Sequence, residues 1–150
     1  MNEERLKELG IELPPVAAPL ASYVPVTTGA GLAFVAGQVP LDEGSPISIG
    51  KVGAEISLED GQALARRCAL QGVAALRAEL GSLDAVKRIL KVTVFVASAD
   101  GFTDQPKVAN GASDALAELF GDQGKHARAA VGVSELPLGV PVEVELIAEI

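Results

Sequence analysis

The run SLEDGQALARRCALQGVAALRAEL, residues 57–80, contains no proline and is the longest stretch that only a helix can accommodate. Ser57 with Asp60 three positions on resembles a capping box, and Gly81 offers a stop at the far end. Leu64, Cys68, Leu76 and Leu80 share one stripe of this helix, and Gly72 lies on the same stripe. A glycine there lets the helix axis come close to whatever it covers, and a sheet is the surface that fits. The rest of the chain must supply that sheet.

The flanking segments do read as strands. VPVTT and LAFVAGQVP surround GAG, which predicts a hairpin with glycines in the turn, and DEGSPISIGKVGAEI reads as a loop with a brief strand. VKRILKVTVFVASA is a strand of β-branched residues. GFTDQPKVANGASDALAELFG is a second helix, with Pro106 at its start and Gly121 at its end. HARAAVGVSEL and VPVEVELIAEI are two further strands joined by a tight corner at Pro137–Gly139. Ahead of all these, MNEERLKELG forms a short amphipathic helix and LPPVAAPLASYVP a Pro-rich connector. The expected organisation is an N-terminal helix and connector at 1–18, followed by a single domain at 19–150. The order ββ(β)αβαββ predicts a two-layer α+β fold, a mixed sheet of five or six strands with two helices on one face. Val92, Val94, Val96, Val142, Val144 and Leu146 offer more apolar strand surface than two helices easily cover, so a homo-oligomer joined through the open sheet face is expected.

Composition narrows the function classes. With 150 residues, 49% of them hydrophobic, one domain with a real core is expected, and the near absence of aromatics leaves that core to Ala, Val, Leu and Ile. The net charge of −8 opposes binding to nucleic acid and to anionic membranes, and no segment reaches the roughly 20 apolar residues of a membrane span. The lone Cys68 can form no intrachain disulfide and reads as a small core residue, which favours a reducing, cytoplasmic location. No cysteine or histidine set suggests a metal. Arg66, Arg67, Arg77 and Glu79 read as solvated or interface charges, not as an RNA-binding patch.

The stretch HARAAVGVSELP, His126–Pro137, carries the chemistry. At the strand period Ala127, Ala129, Val131 and Val133 share one side, and Arg128, Ala130, Gly132 and Ser134 the other. A guanidinium among such small neighbours either pairs with a glutamate on its own sheet face or has room to receive an anion, and its planar fork of donors suits a carboxylate. The last strand puts Glu143, Glu145, Ile147 and Glu149 opposite Val142, Val144, Leu146 and Ala148. If these two strands form a hairpin, Arg128 lies far from the turn, so its meeting with Glu143 can require a neighbouring chain. His126, the only histidine, stands two residues from Arg128 and fits either a structural or a proton-moving role.

AFVAGQVP, KVTVFV and HARAAVGVSELPLGVPVEVELIAEI together resemble the RidA (YjgF) family of enamine and imine deaminases, often labelled endoribonuclease L-PSP. The resemblance runs from about Pro19 to the C-terminus and is to the longer, less characterised branch. It implies a chorismate mutase-like fold, a homotrimer, and three clefts between subunits. It further implies that Arg128 holds the carboxylate of a small substrate and Glu143 positions or activates water. Tyr23, Gly37 and Asn110 would line the same cleft, with backbone near Ala130 helping to hold the water, and no metal or organic cofactor is required. Ala130 stands where the family often has Cys, and His126 where it often has Pro. The implied activity is hydrolysis of 2-imino or enamine acids to 2-oxo acids and ammonia. The alternatives are a non-catalytic trimeric module that binds small carboxylates and, disfavoured by acidity and the lack of a second histidine, an endoribonuclease or translation inhibitor.

Overall fold

The computed structural model describes residues 1–150. Its main sheet has five strands: β1 (Val26–Gly29), β2 (Leu32–Gln38), β5 (Arg88–Ala97), β6 (Ala127–Val133) and β7 (Val142–Glu149). A two-stranded ribbon, β3 (Leu41–Asp42) with β4 (Ser45–Pro46), stands apart from it. The helices are α1 (Asn2–Glu8), α2 (Leu58–Leu80) and α3 (Gln105–Phe120). The result is a two-layer α+β fold with a mixed sheet, as the element order predicts.

Local chemistry accounts for the boundaries. The Ser57 hydroxyl accepts the Asp60 N–H at 3.1 Å to open α2, and Gly81 closes it at φ 80°, a left-handed conformation that favours glycine. Ala30 and Gly31, both at positive φ, form the two-residue turn between β1 and β2. On α2, a Cβ at Gly72 would lie 3.4 Å from Leu146 and 3.5 Å from Val35, so the helix lies against the sheet there, at a spacing that an alanine would also fit. Gly111 is under a stricter constraint: any Cβ there would overlap the Gln62 carbonyl of α2, so α3 crosses α2 backbone against backbone. Leu6 of α1 joins the same core, and the Asn2 amide donates to the Leu83 and Val86 carbonyls.

Two expectations are corrected by the sheet. Its order is β1-β2-β7-β5-β6, and β5 and β6 run parallel, joined by α3 as a crossover. The last two strands are therefore no hairpin. Residues 134–141 are long enough to carry the chain past β5, and β7 inserts between β2 and β5 because its alternating Val142, Val144, Leu146 and Ala148 fill the core under α2. The second correction concerns the open face. Val92, Val94, Val96, Val142, Val144 and Leu146 are all buried beneath the helices of the same chain. The uncovered face carries Phe34, Ile147, Lys91, Thr93, Phe95, Glu143, Glu145 and Val131, with Phe34 and Val131 each 42% exposed.

Candidate functional site

Pro106, Asn110 and Ser113 are spaced i, i+4, i+7 and so share one face of α3, the face that meets Arg128. Arg128 pairs with the helix-facing Val92 on β5, which turns its side chain toward α3. There Nη1 donates to the Asn110 Oδ1 at 2.9 Å and to the Ser113 Oγ at 3.1 Å, while Nη2 donates to the Pro106 carbonyl at 3.3 Å. Three of the five guanidinium donors are thus used, and all three go to neutral acceptors. Nε–H and one Nη2–H remain, enough for the two oxygens of a carboxylate. No carboxylate of the chain forms an ion pair with Arg128. The glutamate-pairing reading of this arginine is therefore not what the chain adopts.

The small residues beside Arg128 serve a different purpose from the open hollow expected of them. Ala130 packs against the core, and the Gln105 amide lies 2.8 Å from where a Cβ on Gly132 would stand. Small side chains here let α3 settle on the edge strand. His126 also points at α3: its Nε2 lies 2.9 Å from the Ser113 Oγ, and its Nδ1 2.6 Å from the Gly124 carbonyl.

Glu143 belongs to another setting. It pairs with Phe95 on the uncovered face, and a Cβ on Gly37 would lie 3.0 Å from its carboxyl carbon, so glycine at 37 is what lets the carboxylate lie flat there. Tyr23, Gly37 and Glu143 share a recess of about 550 Å³ with Phe95, Pro137 and Glu145. Partial burial, and secondly the Glu145 charge, push the Glu143 carboxyl above its ordinary range. Tyr23 is 44% exposed, and its hydroxyl oxygen accepts the Leu20 N–H at 3.2 Å. Val39, which lines the recess, is held by Gln71, a fully buried amide of α2 that donates to the Val39 carbonyl and accepts from the Leu41 N–H and from Arg67 Nε. Arg67 also donates to the Leu41 carbonyl, so this charge braces the ribbon and does not lie free in solvent.

A family model described as "YjgF/chorismate mutase-like, putative endoribonuclease" matches residues 3–150. The chain belongs to the YjgF family. Among its relatives, Protein TCP17 of Trypanosoma cruzi is 47% identical over 146 residues, covering 97% of this chain and 91% of that one. A crystal structure of Atu1372 from Agrobacterium tumefaciens, described as of unknown function, is 43% identical with a TM-score of 0.90, covering 99% and 92% of the two chains. A crystal structure described as "a putative endoribonuclease" from Shewanella oneidensis is 33% identical with a TM-score of 0.95 and covers 100% and 99% of the two chains.

In this YjgF chain the six residues singled out from sequence divide into two groups. Arg128, Asn110 and Ala130 lie on the helix side of β6, and Tyr23, Gly37 and Glu143 lie on the open side of β2 and β7. β5 stands between β6 and β7, and the two groups face opposite ways, so one subunit does not bring Arg128 to Glu143. Sequence reasoning missed Ser113, Pro106 and Gln71. The i, i+4, i+7 spacing of Pro106, Asn110 and Ser113 was a usable signal for the first two, once α3 was known to cover the arginine. Gln71 is i+7 from Leu64 and i+3 from Cys68, so the helical period already put it on the buried stripe of α2. No helix is long and apolar enough to cross a membrane, and no group of three metal-ligating side chains converges.

Proposed function

We propose that the protein hydrolyses small 2-imino acids to 2-oxo acids and ammonia, in clefts where Arg128 of one subunit meets the Glu143 recess of the next in a homotrimer. The observation that carries this reading is the Arg128 guanidinium, pre-oriented by Asn110, Ser113 and Pro106, with two donors left over and no carboxylate of its own. A charge held this way attracts a small carboxylate, at no cost in breaking an existing ion pair. Membership of the YjgF family adds to it.

The chemistry then follows from the parts. A 2-aminoacrylate-type enamine tautomerises to the imine, and Arg128 holds the carboxylate so that the C=N carbon faces the recess. Glu143, whose raised basicity suits it to take a proton, accepts one from water as the oxygen adds to that carbon. That proton passes to the nitrogen to give the carbinolamine; Glu143 then takes the proton of the new hydroxyl and hands it to the amine, ammonia leaves with the C–N bond electrons, and the carbonyl forms. No redox step or external electron source is involved.

A second reading, a trimer that binds small carboxylates without turnover, is favoured by one observation. The Arg128 anchor is complete within one chain, while Glu143 depends on a neighbour to reach it. Generating 2-iminobutanoate with a dehydratase and following 2-oxobutanoate formation separates the two. Catalysis predicts an accelerated rate that falls at least about a hundredfold in Arg128→Ala, the scale of losing a charge-assisted bidentate contact. Binding by calorimetry with no acceleration supports the sensor instead. Cleavage of RNA by the purified protein, lost in Arg128→Ala, would contradict both; the net charge of −8 argues against that result.

A further inference from the structure

Ser113 stands between two groups that share one hydroxyl. Arg128 Nη1 is a pure donor, so it uses a lone pair of Ser113 Oγ at 3.1 Å. On the other side of the same oxygen, His126 Nε2 lies at 2.9 Å. The direction of that second bond is fixed one step further on. His126 Nδ1 lies 2.6 Å from the Gly124 carbonyl, which can only accept, so Nδ1 carries the hydrogen. In the neutral ring Nε2 is then the acceptor, and the Ser113 hydroxyl donates to it. The bonds run in one direction, Arg128 to Ser113 to His126 to Gly124.

We propose that Ser113 and His126 are positioning residues for the Arg128 carboxylate anchor. His126 takes the serine hydrogen, which leaves the Ser113 lone pairs turned to the guanidinium and locks its rotation. This rests on the reading of Arg128 as a carboxylate anchor. The other charged side chains around this line of bonds are few. Lys107 of α3 pairs with Asp104, Glu118 of α3 pairs with Arg66, and Lys125 pairs with Asp122 in the turn before β6. Asp114 follows Ser113 on α3 and is exposed, and Lys91 of β5 pairs in register with Ala127.

His126 is the only histidine, so its ring nitrogens can be read without ambiguity by proton–nitrogen correlation NMR on the intact protein. The expected spectrum is that of the Nδ1–H tautomer with Nε2 unprotonated, changing to a mixture in Ser113→Ala. By calorimetry, Ser113→Ala and His126→Ala should weaken 2-oxobutanoate about tenfold, the effect of one charge-assisted hydrogen bond, while Ser113→Thr, which keeps the hydroxyl, should stay within about twofold of wild type. An Nε2–H tautomer in wild type overturns the proposal whatever the variants do. Binding that needs Arg128 but is unchanged in Ser113→Ala and His126→Ala overturns it too, and leaves the anchor reading intact. No binding in wild type removes both.

Discussion

Glu143 shows most clearly how position sets the behaviour of a residue here. Its carboxyl is raised by burial first and by Glu145 second, so its charged form is disfavoured in the folded chain. With the folded value above the unfolded one, Glu143 costs nothing below the ordinary value of 4.5 and destabilises increasingly as pH rises through the folded value. Glu143→Gln should therefore raise the melting temperature at pH 7 to 8, and the gain should vanish near pH 4; scanning calorimetry across that range checks the sign. The same substitution should abolish imine hydrolysis, and in wild type the rate should fall as acid protonates Glu143 at a pH above the usual carboxylate range. Arg128 and Glu143 were both visible as residues set apart by the strand period. Their surroundings were not, because the partners of Arg128 come from a helix 15 to 22 residues away in sequence.

Two glycines separate close packing from forced contact among the elements. Gly72 on α2 has ordinary van der Waals neighbours at 3.4 Å and beyond, so Gly72→Ala should be neutral or stabilising by up to about 1 kcal/mol through helix propensity. Gly111 on α3 has the Gln62 carbonyl where a Cβ would go, and Gly111→Ala should cost about 2 kcal/mol or more by pushing the helices apart. Denaturant melts of the two variants give the comparison directly. The helices themselves were legible, because long apolar periodicity coincides with caps at Ser57, Gly81 and Gly121. The neighbours of β6 and β7 were not. Alternation tells which side of a strand is apolar but carries no information about which strand lies beside it.

For the whole molecule, the uncovered sheet face sets the expected assembly. Phe34, Phe95, Val131 and Ile147 lie there among Lys91, Glu143 and Glu145, a mixture suited to an interface with polar clefts. Light scattering should give about three times the chain mass of 15.3 kDa, and Phe34→Glu should lower it toward the monomer while the far-ultraviolet spectrum stays unchanged. A wild-type monomer would remove the cleft that joins Arg128 to Glu143. The sequence alone determined the two-layer α+β class, the helix limits, the family resemblance and the choice of Arg128 as candidate anchor, since each depends on local periodicity or on short motifs. Only the tertiary structure decided that β5 separates β6 from β7, that the valines thought to be surplus lie under the helices, and that Arg128 and Glu143 face opposite ways. Those outcomes depend on which strands neighbour one another, and non-local pairing is set by how the whole core fills space.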